Sequence, residues 1–528
     1  MRAIIVDNKW VYFDNVTVSE EEILWNEFSV SRPNAYIDPN QMSQWDGVFR
    51  KYNRAKKRVA FPFLGKVKKL AAKHGFPLDI DDQRNLERKL FKIGHDHLPG
   101  IKLEQYQIEA TEAALNAECG VINVPTGGGK GELVCAIVKA LDCATVILAD
   151  QTIVVDQLKA RLELREVSDT VGMFYAGKRP NGETVVVGSI QSLTKVSKPP
   201  QPPSKAHCED EDEYNRKVKQ WERSYKGFKT RQKTAKSLLQ YVENADCLIV
   251  DEADRAVSDP WKVLFRSHFK GSRRYGFSGT PTDPAKPVEA MVLEEHLGPI
   301  IYTAERKKLT ELGRIIPCKY YSMCFGLDGS IKNSTTYDQA YNEFMVENNA
   351  FHNDILKLTT AILKRNSTDG VLILVEREAL GNNLLALFKA NEIDTEFIFG
   401  KTNHKQRKIA LSRFEQREIR VIIGGKILNR GLDLKGGTEH LILATGGKLA
   451  TDFIQKVGRA VRLNSVGSSK IYDFYFRCNK YLYQHSKARL KAIVDMGYES
   501  IVAFPGGTID GSELIRRRFS FKFKSKSK

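Results

Sequence analysis

Val124-Pro-Thr-Gly-Gly-Gly-Lys130 decides how this chain is read. It follows an apolar, strand-like run, Gly120-Val-Ile-Asn-Val124, and opens a helical one, Glu132-Leu-Val-Cys-Ala-Ile-Val-Lys139. A glycine-rich turn between strand and helix lets several backbone N–H groups point into one concavity, and the helix N-terminus adds positive potential there. Pro125, Thr126, Gly127, Gly128, Gly129, Lys130 and Gly131 are therefore candidates for cradling a nucleotide's phosphates, with Lys130 reaching the β- and γ-phosphates. Gly131 departs from the usual pattern, in which a Ser or Thr hydroxyl at that position ligates Mg²⁺. Taken alone, the loop reads equally well as a plain strand-to-helix turn.

Downstream, Cys247-Leu-Ile-Val250 runs directly into Asp251-Glu252-Ala253-Asp254. An apolar strand ending in adjacent acids is how phosphate-loop ATPases hold magnesium and polarise a water, here Asp251 for the metal and Glu252 as the base. Between and beyond these two segments, short Val/Ile/Leu runs alternate with helical patterns. They include Thr145-Val-Ile-Leu-Ala149, Thr184-Val-Val-Val-Gly188 and Arg274-Tyr-Gly-Phe277. A second series holds Val371-Leu-Ile-Leu-Val375, Thr395-Glu-Phe-Ile-Phe399, Arg420-Val-Ile-Ile423, His440-Leu-Ile-Leu-Ala444 and Lys470-Ile-Tyr-Asp-Phe474. Continuous apolar strands of this kind suit parallel sheets covered on both faces. The pattern predicts an α/β chain with two tandem parallel-sheet domains of similar size, residues 99–305 and 306–500. A small basic α+β domain, 1–98, precedes them and a basic tail, 501–528, follows. A charged, helical insertion spans about 197–237, beginning with the proline-rich Lys198-Pro-Pro-Gln-Pro-Pro203.

The chain has 528 residues, enough for roughly three or four domains. Its 82 basic residues against 64 acidic ones leave +18, a surplus that favours a polyanionic partner, nucleic acid before anionic membrane. No apolar run approaches the roughly 20 residues of a spanning helix. Asp7, Asn8 and Lys9 interrupt the only apolar start, so no secretory leader is read. The 8 cysteines are scattered with no metal-ligand spacing, which suggests free thiols in a reducing compartment. A cytoplasmic protein (the host's cytoplasm for a phage protein) with no membrane partner is the expectation.

With these motifs in view, the chain resembles superfamily 2 helicases and translocases, in order from Leu103 to Arg462. Tyr106-Gln107 is similar to the adenine-reading glutamine motif, so the resemblance makes Gln107 a nucleotide contact. Gly127, Gly129 and Lys130 match motif I, and Asp251 to Asp254 match motif II. Ser278-Gly-Thr280 matches motif III, which implies that Ser278 and Thr280 couple hydrolysis to strand movement. Gly431-Leu-Asp433 matches motif V, placing Asp433 at the nucleotide. Gln455-Lys-Val-Gly-Arg459-Ala-Val-Arg462 matches motif VI, whose Gln455, Arg459 and Arg462 are then catalytic, the arginines as fingers on the γ-phosphate. The resemblance implies two RecA-like lobes, ATP and Mg²⁺ as cofactors, and a cycle in which ATP favours closure and hydrolysis reopens the lobes. Segments Asp150-Gln-Thr152, Gly188-Ser-Ile-Gln191, Gly400-Lys-Thr402 and Gly424-Gly-Lys426 are then expected along a nucleic-acid backbone. Thr152, Ser189, Gln191, Lys401 and Lys426 are the candidate contacts.

Departures from the DEAD-box pattern, Gln455 in place of histidine above all, make the chain look closer to phage branch-migration helicases of the UvsW type and to XPB-like and RecG-like DNA motors. Branched or partly single-stranded DNA is the expected partner, with a monomer as the expected state. An RNA helicase, or a nucleotide-dependent DNA clamp with little turnover, stays open. The opening segment carries no acid between Gly47 and Lys73, and Trp45, Phe49, Tyr52, Phe61 and Phe63 interleave its cations. Arg50, Lys57 and Arg58 are expected on DNA phosphates, with the aromatics stacking on bases. That segment is also expected to be removable without unfolding the motor. For Gly131, the expectation is a magnesium-hungry ATPase in which Gly131→Thr lowers the magnesium requirement.

Overall fold

A computed structural model describes residues 1–31, 46–84, 91–125, 127–150, 152–175, 177–194, 199–204, 210–282, 286–326, 336–366, 368–400, 402–425, 438–447 and 467–516. The chain divides into two compact units, Met1–Val124 with Gly129–Thr303, and Pro125–Gly128 with Ala304–Lys528.

The first unit opens with β1 (Arg2–Ile5), β2 (Trp10–Asp14), α1 (Val18–Glu27), β3 (Ser29–Ser31), β4 (Val48–Arg50), β5 (Arg58–Ala60), α2 (Leu64–His74) and β6 (Asp79–Asp82). Four of the strands form a sheet in the order β5-β2-β1-β6, and β3 pairs with β4. Thr17 and Glu20 close a reciprocal capping box on α1, and Gly75 ends α2 in the left-handed conformation. Tyr52, Phe61 and Phe63 are buried with Phe28, Leu24 and Val67 in this region's core. The expectation that these aromatics stack on bases is therefore corrected for Tyr52, Phe61 and Phe63. In so small a layer they are the apolar surface that makes folding possible. Trp45 lies outside the described residues.

This region is not a separable module. Met291, from a helix far along the chain, enters its core. Lys51 Nζ meets Glu295 Oε2 at 2.6 Å, both side chains nearly buried, and Arg84 pairs with Glu118 at 2.7 Å. Arg274 Nη2 donates to the Asn8 carbonyl at 2.5 Å. Removing 1–98 would strip the Lys51 cation from Glu295, leaving only Arg266, and open an apolar face, contacts that argue against the expected tolerance to deletion.

The remainder of the first unit runs α3 (Gln105–Asn116), β7 (Cys119–Asn123), α4 (Lys130–Leu141), β8 (Thr145–Ala149), α5 (Thr152–Leu164), β9 (Val171–Phe174), β10 (Val185–Ser189), α6 (Ile190–Thr194), α7 (Glu211–Glu243), β11 (Cys247–Asp251), α8 (Asp259–Val263), β12 (Arg273–Ser278), α9 (Pro287–Leu297) and β13 (Ile300–Thr303). Its seven strands are all parallel, in the order β13-β7-β12-β11-β8-β10-β9. Every residue of β8 is buried, as a sheet covered on both faces requires. The insertion is a 33-residue helix, α7, longer than expected at its C-terminal end. Ala235, Leu238 and Val242 are buried, and the last two join the lobe's core.

The second unit holds β14 (Cys318–Phe325), β15 (Val371–Val375), β16 (Thr395–Ile398), β17 (Val421–Gly424), β18 (His440–Ala444), β19 (Ser469–Phe476), β20 (Glu499–Phe504) and β21 (Gly507–Asp510), in the order β16-β17-β15-β18-β19-β14-β20-β21. All pairings are parallel except the last, β20 with β21. Val502 is fully buried in the core. The expected tail from 501 is thus corrected: up to 516 the chain completes the sheet, and only 517–528 falls outside the described residues. Both units show the tandem parallel sheets of RecA-like domains. No helix among the described residues is long and apolar enough to cross a membrane.

Candidate nucleotide site and its coupling network

Five of the parallel strands in the first unit end side by side in the order β7, β12, β11, β8 and β10. Their carboxyl ends lead, respectively, into the glycine-rich loop, Ser278-Gly-Thr280, Asp251-Glu252, Asp150 and Ser189-Ile-Gln191. Segments scattered over more than 150 residues of sequence therefore reach one sheet edge, where open α/β sheets bind ligands.

Gly129 caps α4 with φ of 74°, a left-handed conformation that a side chain would strain. Close approach matters there too: a β-carbon on Gly129 would stand 2.6 Å from Gln107 Nε2. Gln107 is buried, and its Oε1 accepts from the Glu104 backbone N–H at 2.9 Å, closing the capping box of α3. The structure thus puts Gln107 beside the phosphate loop, with one end of its amide engaged by its own helix. Lys130 is the first residue of α4. Thr126 lies outside the described residues.

Motif II carries the strain. Glu252 has φ of 53°, an uncommon conformation for a residue with a side chain. It starts a single 3₁₀ turn, Ala253–Arg255. A β-carbon on Gly276 of β12 would stand 2.7 Å from that of Ala253, so the glycine makes room for this turn. Burial pushes the Asp251 carboxyl up to about 6, with Lys130 opposing and Glu252 reinforcing. Asp254 is also pushed up to about 6, by burial and then by Glu252, against a hydrogen bond from Ser278. Asp251, half-buried beside Glu252 and near Lys130, is the carboxylate that would hold Mg²⁺, and a hard cation there would relieve its crowding with Glu252.

Sequence reasoning passed over the partner of motif III. Ser278 Oγ donates to Asp254 Oδ1 at 2.9 Å and accepts from the Thr280 N–H at 3.1 Å. The Ser278 carbonyl accepts from Val124 N–H at 3.0 Å, at the root of the phosphate loop. Ser278 therefore touches both nucleotide motifs. A second network also went unread. Arg255 pairs with Asp150, and Gln191 Nε2 donates to the Asp150 carbonyl at 2.8 Å. Ser189 is buried with its hydroxyl on Gln191, so direct contact of that side chain with a nucleic-acid backbone is corrected. Thr152 is exposed at the start of α5.

Residues 100–283 match the family model described as type III restriction enzyme, res subunit, and residues 353–464 match the helicase conserved C-terminal domain. The chain belongs to the superfamily 2 helicases. A helicase-named protein of a Sulfolobus islandicus filamentous virus is 24% identical over 252 residues, 46% of this chain and 44% of that one. The chain thus spans less than half the length of this relative. The DNA 3'-5' translocase XPB2 of Sulfurisphaera tokodaii is 22% identical over 399 residues, 69% of this chain and 79% of that one. Among solved structures, T4 UvsW aligns with 95% of this chain and 98% of its own at 16% identity and a TM-score of 0.41.

For this helicase the sequence-expected residues divide clearly. Gln107, Gly129, Lys130, Gly131, Asp251, Glu252, Ser278 and Thr280 are described in one unit. Pro125, Gly127 and Gly128 are described in the loop, where the Gly128 N–H donates to the Pro125 carbonyl at 3.0 Å. Lys401, Lys426, Asp433, Gln455, Arg459 and Arg462 lie outside the described residues. Two expected DNA contacts in the opening region are engaged locally. Arg50 pairs with Asp46 and lies 4.8 Å from the Trp25 ring centroid, and Arg58 lies 3.8 Å from that of Trp10. Lys57 is exposed in a tight turn with φ of 42°.

Proposed function

We propose that this chain is an ATP-dependent DNA helicase or translocase that remodels branched DNA in recombination, replication or repair. The observation that carries the reading is the convergence of Lys130, Asp251 and Glu252 at one sheet edge, after β7 and β11 on either side of β12, with Ser278 at the end of β12 hydrogen-bonded to Asp254 of the same carboxylate turn. In this reading the loop N–H groups and Lys130 hold the nucleotide's phosphates. Mg²⁺, anchored by Asp251, supplies charge neutralisation at those phosphates when bound. Glu252, held in a left-handed backbone conformation at the strand end, orients and deprotonates the attacking water. Arg459 and Arg462 add positive charge that acts in the transition state.

The Ser278–Asp254 bond is the route by which nucleotide state reaches the strand ends that carry Asp150, Thr152 and Gln191. DNA as substrate is supported by the net charge of +18, by the motif VI glutamine, and by the S. tokodaii relative's name as a DNA translocase. The proposed place of action is the cytoplasm, and the proposed state a monomer. An RNA helicase is the second reading. It is favoured by the Asp-Glu-Ala-Asp tetrapeptide itself and by a 28% identity over 99 residues to the ATP-dependent RNA helicase vasa of Drosophila melanogaster. Phosphate release measured with forked DNA, single-stranded DNA and RNA of matched length separates the two. Stimulation by forked DNA above the others is the expected result, and stimulation by RNA alone would replace the first reading with the second.

A further inference from the structure

The insertion helix α7 has two unlike faces. Tyr214, Val218, Trp221, Tyr225 and Phe228 recur at alternating spacings of four and three, so they lie along one stripe. Phe228 is buried and the others are half-buried. Trp221 stacks on Tyr225 with centroids 5.2 Å apart, Tyr225 on Phe228 at 6.2 Å, and Trp221 Nε1 donates to the Pro200 carbonyl at 2.8 Å. The proline-rich segment thus packs on the aromatic side of the helix.

The other face is cationic. Arg216, Lys219, Arg223, Lys226, Lys233 and Lys236 are all exposed and recur at steps of three, four or seven residues. Between Tyr214 and Val242 the only acid is Glu222. Among the described residues, no ion pair engages any of these six side chains. From Arg216 to Lys236 the helix rises about 30 Å at 1.5 Å per residue, close to one turn of duplex DNA, about 34 Å. A solvated surface helix would intersperse acids along such a stripe to gain ion pairs at i,i+4. This one instead concentrates one sign of charge along a rigid rod.

We propose that the basic face of α7 is a docking surface for the sugar-phosphate backbone of duplex DNA, outside the strand-tracking segments. Duplex is favoured over single strand by what the face lacks. Sequence-tolerant binding of single strands uses aromatic platforms on which bases stack, whereas every aromatic side chain of the helix's N-terminal half is turned toward the opposite, packed side. A rod of cations with no stacking surface recognises the regularly spaced phosphates of a double helix. The inference rests on the reading of the chain as a DNA motor, and gives that motor a hold on the duplex beyond the site of strand movement.

The test compares the parent chain with a variant carrying Arg216→Gln, Lys219→Gln, Arg223→Gln, Lys226→Gln and Lys233→Gln. Binding to a blunt 20-base-pair duplex and to a 20-nucleotide single strand is measured across salt concentration, about two turns of duplex being ample for the stripe. Circular dichroism establishes that the helix persists. Each phosphate that the protein no longer neutralises lowers the slope of log K against log salt by about 0.9. The expected result is a duplex slope shallower by about 2 or more with the single-strand slope unchanged, and retention of the parent slope when the three lysines are replaced by arginine instead. An unchanged duplex slope overturns the proposal, and equal loss on both DNAs overturns the choice of duplex. A parent chain without DNA-stimulated ATP hydrolysis would defeat the motor reading, while the duplex slopes would still decide the surface.

Discussion

Arg161 occupies the space into which a side chain at Gly131 would grow. A β-carbon built on Gly131 falls inside contact distance of Arg161 Nη1 and 2.9 Å from its Cδ. The guanidinium is held there by Glu132, 3.6 Å away, which Arg165 also pairs at 3.0 Å. Glycine at this position is therefore the counterpart of an arginine in the third turn of α5.

This relationship reverses the sequence-based expectation for Gly131→Thr. Threonine would have to displace Arg161 before its hydroxyl could reach a metal, and β-branching leaves it little freedom to adapt. The single substitution is expected to lower ATP turnover at every magnesium concentration. Combining it with Arg161→Ala removes the obstruction, and the double variant should recover turnover at a lower half-saturating magnesium concentration than the parent. Magnesium titrations of phosphate release in the parent, Gly131→Thr, Arg161→Ala and the double variant check this. Activity of the single variant above the parent's would show that Arg161 yields freely.

Ser278→Ala removes the hydroxyl between Asp254 and the Thr280 N–H without touching Lys130, Asp251 or Glu252. ATP hydrolysis is expected to stay within a few-fold of the parent, and unwinding of forked DNA to fall about tenfold, the size of one missing hydrogen bond to a charged group. Parallel ATPase and strand-displacement assays read the split. Equal loss in both would make Ser278 part of the hydrolytic site itself.

His296 makes stability depend on pH. It stacks on Phe265 at 4.9 Å, donates from Nδ1–H to the Ala256 carbonyl at 2.6 Å, and lies beside Glu295, Lys51 and Arg266. Burial pushes its pKa down to about 4 from an unfolded value of 6.5. Between those values the unfolded chain binds the extra proton. Stability is therefore full above pH 6.5 and falls as pH drops toward 4. For the first unit the loss from pH 7.5 to 5.5 should be about 1 kcal/mol. His296→Gln should remove that increment in urea unfolding at the two pH values, and an unchanged difference would assign the acid sensitivity elsewhere.

In the second unit, Arg489 and Asp473 form a fully buried pair at 2.7 Å, with Tyr320 donating to the same carboxylate and Arg489 Nη1 reaching the Gly447 carbonyl at 3.1 Å. Arg489→Leu leaves Asp473 buried without its cation and should cost roughly 3–5 kcal/mol. Arg489→Leu with Asp473→Leu should recover part of that. Denaturant unfolding of parent, single and double variants measures it, and a single-variant loss under about 1 kcal/mol would show that Tyr320 and the Phe474 N–H satisfy the carboxylate without the arginine.

Legibility followed local pattern. Val371-Leu-Ile-Leu-Val375 and Thr145-Val-Ile-Leu-Ala149 are strands as read, because central parallel strands need apolar residues on both faces. β14 carries Lys319, Tyr321 and Ser322 among its apolar residues, and β20 stands just before a Gly-Gly turn, so neither has that signature. Their strand character comes from pairing: β14 with β19 and β20, and β20 with β14 and β21. The motifs were readable because each chemistry needs fixed residue types in a short span. Arg161 against Gly131 and Ser278 against Asp254 join separate elements, where spacing along the chain carries no information about distance. The aromatics of the opening region show the converse limit: composition alone treats Phe61 and Phe63 alike as core or as stacking platform, and only burial decides.

The most direct test of the account is DNA-stimulated phosphate release by the parent chain and by Glu252→Gln, with nucleotide affinity measured in both. The account predicts a parent that hydrolyses ATP and is stimulated by DNA, and a variant that binds ATP comparably but turns over at least about 100-fold more slowly, as loss of a general base requires. Hydrolysis by Glu252→Gln at the parent's rate, or a parent with no turnover at any magnesium concentration, would contradict it.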